Sequence, residues 1–110
     1  MKILTRVEEF ILLAVMQLKE KAYSLPIQKK ISEISGEHWS LGTIYAPLER
    51  LERKKYLESS LSETTPERGG RHKRIYSVTK EGVRALKKTQ EVHNQMWENI
   101  SEPELKIKRS

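Results

Sequence analysis

The chain has no cysteine, which excludes a disulfide framework and any thiolate metal site and fits a reducing compartment. Aromatic residues are also few, 6% in all, so exposed stacking platforms of the kind that read single-stranded RNA are scarce. Only Trp39, Tyr45 and Tyr76 are candidates for that role, and at least one of them should belong to the core. Long hydrophobic runs are missing as well. The most apolar stretch, residues 10–16 (FILLAVM), is bracketed by Glu8, Glu9 and Lys19 and is too short to span a bilayer. No small-residue cleavage site follows it, so a cytoplasmic protein is expected. His38, His72 and His93 lie far apart without ligand spacing, which gives no metal site. No phosphate-binding glycine loop, nucleophile elbow or cofactor fingerprint occurs. Nothing therefore supports an enzyme or a cofactor.

What the chain does have is charge. Charged residues make up 33% of 110 positions and the formal net charge is +6, a balance that favours an anionic partner, nucleic acid ahead of a membrane surface. The length allows one domain and no second core.

Periodicity orders the rest. Thr5 and Glu8 have the form of a capping box, and Val7, Phe10, Ile11, Ala14, Val15 and Leu18 follow at helical spacing, widened by Leu12 and Leu13. A helix apolar around so much of its circumference packs on more than one neighbour, its own domain and a partner subunit together. A second helix is predicted from a cap at Ser24, with Pro26 in its first turn. Ile27, Ile31 and Ile34 form its inner face, and Ser35-Gly36 ends it. After a turn at His38–Gly42, a third helix carries Ile44, Leu48 and Leu51 inward; it should start near Gly42 or Thr43, leaving Pro47 in or just after the first turn. Residues 56–61 and 74–78 read as strands around a basic loop rich in turn residues. Thr79 caps a last helix running to about Ile100. Along it Val83, Leu86, Gln90, His93, Trp97 and Ile100 make a partly polar heptad seam, too long for so small a domain to cover. The expected fold is mainly α with a small β-hairpin (α+β), a winged helix-turn-helix with a long C-terminal helix. Residues 1–79 would bind DNA, 80–101 would form a dimerisation helix continuous with them, and 102–110 would be a flexible tail.

This order of elements gives each part a task. The third helix, about 42–54, fits the major groove, and Ser40, Thr43, Tyr45 and Ala46 sit near its start, with Glu49, Arg50 and Arg53 further along. Ser40 and Thr43 read equally as capping residues, and Tyr45 as a rim packing residue. In the loop, Arg68, Gly69, Gly70, Arg71, Lys73 and Arg74 combine positive charge with two glycines that let a backbone approach a phosphate. That segment, 62–73, suits a wing on the DNA backbone or in the minor groove. Lys29, Lys30, Lys54 and Lys55 would flank the footprint. Glu8, Glu9, Glu49 and Glu52 read as solvated helix faces and caps.

Several motifs in this order resemble the PadR-type transcriptional regulators: Gly42-Thr43-Ile44-Tyr45, Leu48-Glu49-Arg50-Leu51-Glu52, the segment from Thr65 to Tyr76, and Val78-Thr79-Lys80-Glu81-Gly82. The resemblance implies a homodimeric repressor whose last helix joins the first in the dimer interface, with Phe10, Leu13, Val83, Leu86, Gln90, His93, Trp97 and Ile100 in contact. It also implies that a flat aromatic effector can lie between subunits, near His93, Met96 and Trp97; the other reading makes Trp97 a hydrophobic anchor of the interface. The chain departs from the family pattern in three places. Ala46 separates Tyr45 from Pro47, Lys55 stands where a glycine often ends the third helix, and Ser24-Leu25-Pro26-Ile27 replaces a His-Gly-Tyr motif.

The expected function is sequence-specific binding of double-stranded DNA at a pseudo-palindromic operator. The alternative is a winged-helix protein-interaction module that docks its basic loop on an acidic partner.

Overall fold

A computed structural model describes residues 2–62 and 73–100 of the chain. The expected wing tip, Arg68, Gly69, Gly70 and Arg71, and the expected tail, 102–110, lie outside the described residues.

The capping box forms as read. The Thr5 hydroxyl accepts from the Glu8 N–H at 3.2 Å, and the Glu8 carboxylate accepts from the Thr5 N–H at 2.9 Å. Helix α1 (Arg6–Leu18) follows. Ile11, Leu12, Ala14 and Val15 are buried, whereas Leu13 and Met16 stay exposed on another side. The broad apolar stripe thus packs on several elements of its own chain and still leaves a flank uncovered.

A short 3₁₀ turn, Lys19–Lys21, leads to α2 (Ser24–Ser35). Its cap position belongs to Tyr23, not Ser24, and Tyr23 gives no side-chain cap bond. Gly36 ends it with a φ of 76°. Ile27 and Ile31 are buried as expected, but Ile34 is 72% exposed. The reason is positional: Ile34 borders an open apolar groove of about 250 Å³ between α1 and α2, beside Phe10, Leu13 and Ile31. It lies on the apolar side without reaching the core.

The turn is fixed by Trp39, whose N–H donates to Ser32 Oγ at 3.1 Å and whose carbonyl accepts from Gln28 Nε2 at 2.5 Å. Its ring lies 6.1 Å from that of Phe10. Helix α3 (Leu41–Arg53) is capped by Ser40 and starts one to two residues earlier than the sequence suggests. Pro47 therefore stands in the second turn. The missing proline N–H leaves the Thr43 carbonyl without its helical donor, and burial of the Pro47 ring beside Ile44, Leu48 and Leu51 offsets part of that loss. The helix closes through Lys55, which takes a φ of 67°, the left-handed turn for which glycine is the usual residue.

Strands β1 (Leu57–Leu61) and β2 (Arg74–Val78) pair antiparallel, Leu57 opposite Val78 and Leu61 opposite Arg74. The Tyr76 N–H donates to the Ala22 carbonyl at 2.8 Å, which pins the hairpin to the end of the 3₁₀ turn. Thr79 caps α4 (Lys80–Trp97), which stops three residues short of the expected Ile100. Gly82 is required here: a Cβ would land on the Tyr56 carbonyl and the Val78 side chain. The buried Thr89 hydroxyl accepts from the Leu4 N–H at 2.9 Å.

Beyond Thr89 the last helix leaves its own core. Met96 and Trp97 are 72% and 61% exposed. Leu86, expected at a subunit interface, is buried in the chain's own core, while Val83 is half-buried and Gln90 exposed. Among the described residues, no helix is long and apolar enough to cross a membrane.

Candidate nucleic-acid interface

Burial of Ile44, Pro47, Leu48 and Leu51 turns the opposite half of α3 outward. Gly42, Thr43, Tyr45, Ala46, Glu49 and Arg53 are all exposed. The hydroxyls of Ser40 and Thr43 lie 2.9 Å apart, and Ser40 Oγ accepts from the Thr43 N–H at 3.2 Å. Ser40 therefore caps the helix with the Thr43 hydroxyl bonded to its own, yet both remain at the surface, where a second partner can reach them. Tyr45 is half exposed and stands on the side of α3 nearer the hairpin.

Arg50 is placed differently from its expected neighbours. Its Nε lies 3.6 Å from Glu8 Oε2, and Lys54 Nζ lies 2.8 Å from the same oxygen. Glu8 was expected to be a solvated cap. It does cap α1, but only 2% of it is exposed, and it clamps two cations of α3 against α1. Burial alone would raise the Glu8 carboxyl; the Lys54 ammonium and the Thr5 hydrogen bonds outweigh that and hold it below the ordinary value.

The base of the hairpin supplies the other wall. Lys73 Nζ sits 3.5 Å from the centroid of the Tyr23 ring, a cation–π contact. Arg74 donates to Ser59 Oγ at 2.9 Å and lies 3.9 Å from Glu52. Between α3 and the hairpin opens a cleft of about 630 Å³, lined by Tyr23, Tyr45, Glu49, Glu52, Lys73 and Tyr76 among others. Tyr76 is nine-tenths buried. Burial pushes its phenol pKa up, and Glu52 and Glu49 push in the same direction against Arg74.

Two features escaped the sequence reading. The Glu8–Lys54 contact joins residues 46 positions apart, and no local pattern announces it. The other is Gly42. A Cβ there would meet only Ser40 Oγ, at 3.8 Å, and its φ is not positive. Nothing in the described chain requires glycine at a position where alanine would favour the helix by up to about 1 kcal/mol. An unexplained glycine at a helix start was the available signal for close approach by a ligand.

At the far end of the molecule, His93 Nε2 lies 3.3 Å from Glu9 Oε1. His93 and Trp97 border a shallow depression of about 270 Å³ with Arg6, Phe10 and Leu13. Met96, expected beside them, is not part of its lining.

Comparison with known proteins adds the family. Residues 12–88 match the profile of the transcriptional regulator PadR-like family. No curated protein matches the sequence. Among solved structures, a PadR family transcription regulator from hypervirulent Clostridium difficile R20291 is 33% identical, over 84% of this chain and 88% of that one, with a TM-score of 0.61. A transcriptional regulator from Clostridium thermocellum is 25% identical over 82% of both chains, with a TM-score of 0.67. RosR of H. salinarum is 25% identical over 89% of this chain and 81% of that one, with a TM-score of 0.63.

Proposed function

The chain belongs to the PadR-like family of transcriptional regulators, a family of DNA-binding proteins, and from that premise we propose that it is a repressor acting as a homodimer on a pseudo-palindromic operator. The observation that carries the reading is the outward half of α3. It is polar and capped, carries a glycine with no internal reason to be one, and stands beside the cations at the hairpin base.

In this reading Ser40, Thr43, Tyr45 and Ala46 face the major groove, and Arg50 and Lys54 reach phosphates from the flank on which Glu8 holds them. Lys73 and Arg74 begin a wing that continues through Arg68, Gly69, Gly70 and Arg71 along the DNA backbone. Residues 1–79 form the DNA-binding unit and 80–101 the dimerisation helix. A second copy accounts for the apolar surface this chain leaves open, Leu13 and Met16 on α1 and Trp97 on α4. Trp97 then acts as an anchor of the interface. A two-fold dimer presents its recognition helices about 34 Å apart, one turn of the duplex.

Fluorescence anisotropy with duplex from the gene's own upstream region, against scrambled duplex across a salt series, tests the reading. A preference of about a hundredfold with a steep salt slope is expected. Equal weak binding to both duplexes, persisting with other candidate promoter fragments, would count against it.

A further inference from the structure

We infer that Glu49 is a specificity-determining residue that selects cytosine in each half-site. The inference rests on α3 entering the major groove.

Glu49 is exposed on the outward half of α3, and it differs from the other carboxylates around that helix in being uncommitted. Glu8 holds Lys54 and Arg50. Glu52 accepts from Ser59 Oγ at 2.6 Å and lies near Arg74. Among the described residues Glu49 has no hydrogen bond or ion pair, although Arg53 stands one turn along on the same helix and Arg74 lines the same cleft. Its charge is felt by the phenol of Tyr76 across the cleft.

A free carboxylate on a groove-binding face is costly in a protein of net charge +6 whose task is to approach phosphates. It is repelled by the DNA backbone, and entering the groove strips its water. The carboxylate becomes favourable only where a base edge donates to it. In the major groove two groups donate, the N4 amino group of cytosine and the N6 amino group of adenine. Adenine sets its N7 lone pair beside its donor, facing the carboxylate with an acceptor. Cytosine has only a C–H beside its amino group. Chemistry therefore favours cytosine.

The neighbours on the helix support a reading stripe. Ala46 precedes Glu49 by three residues, about 4.5 Å along the axis, close to the 3.4 Å rise of one base pair. Its exposed methyl suits a thymine methyl. Ala46 and Glu49 thus address neighbouring base pairs, and the acidic residue gives the half-site a polarity that phosphate contacts alone lack.

Selection from randomised duplexes with the full chain, followed by anisotropy on half-sites changed one base at a time, tests this. The wild type should fix cytosine at one position of each half-site, and replacing that base should weaken binding about tenfold. Glu49→Gln should move the preference at that position to adenine. Glu49→Ala should abolish preference there and leave the other positions as they were. Both variants should bind random duplex more tightly than wild type at low salt, because a repelled charge has gone. A residue with a merely structural role would instead lower affinity for all duplexes together, and that result overturns the inference. So does an unchanged preference in both variants while the wild type still selects a site, which leaves the regulator reading intact. If the wild type enriches no sequence at all, the regulator reading fails and this inference falls with it.

Discussion

Glu8 serves three partners with one carboxylate: one oxygen accepts from the Thr5 N–H, and the other faces Lys54 and Arg50. Glu8→Gln keeps an acceptor for the Thr5 N–H and removes the charge, so it isolates the ionic part. At neutral pH it should cost on the order of 2 kcal/mol, less than a fully buried pair because Lys54 is half solvated. The folded carboxyl lies below its ordinary value near 4.5, so the stability it contributes is complete above that value and is lost as pH falls through the folded pKa. Urea unfolding of both proteins between pH 3 and 7 should show the wild-type advantage constant at neutral pH and shrinking below about pH 4.5. At this scale the capping half of Glu8 was legible, since Thr5 and Glu8 stand three apart. The clamping half was not, because Lys54 comes near only through the packing of α3 on α1.

The elements were legible in order and type, and the misplacements share a cause. Helical periodicity reports which side of a helix is apolar but not what covers it. Ile34 continues the spacing of Ile27 and Ile31, yet the second helix outruns the core before that turn. Leu86 continues the spacing of an interface seam and is also buried in the chain's own core, at the floor of a depression it shares with Leu13, Val83 and Gln90. The start of α3 lies earlier than a proline suited to the first turn suggests, because the buried Pro47 ring is accommodated in the second. For this helix Gly42→Ala is the informative change. Alanine should raise the thermal midpoint slightly and at the same time weaken binding to operator and random duplex alike, since a methyl then stands where a phosphate would come closest. A variant that gains stability and keeps full affinity would remove the case for close approach at that point.

At the scale of the whole molecule, the apolar flank of α1 and the far end of α4 are left uncovered by their own chain. If a second copy covers them, Leu13→Asp and Trp97→Ala should each shift the sedimentation mass from dimer towards monomer at micromolar concentration. Neither side chain is buried in this chain, so the far-ultraviolet dichroism of the monomer should be unchanged. Operator affinity should fall with the mass, because the two half-sites would no longer be bound together. The seating of α4 has a mechanical consequence. Tyr56 donates to Leu51 at the end of α3 and accepts from Thr79 at the start of α4, and Gly82 rests against its carbonyl with no side chain between. Such a joint has no slack. Beyond Thr89, which is buried and held by Leu4, the helix projects about 12 Å further to Trp97. A sideways displacement of about 2 Å at its tip is therefore a tilt of about 10° about Thr89, and any tilt of α4 as a whole bears through Tyr56 on the C-terminal end of α3.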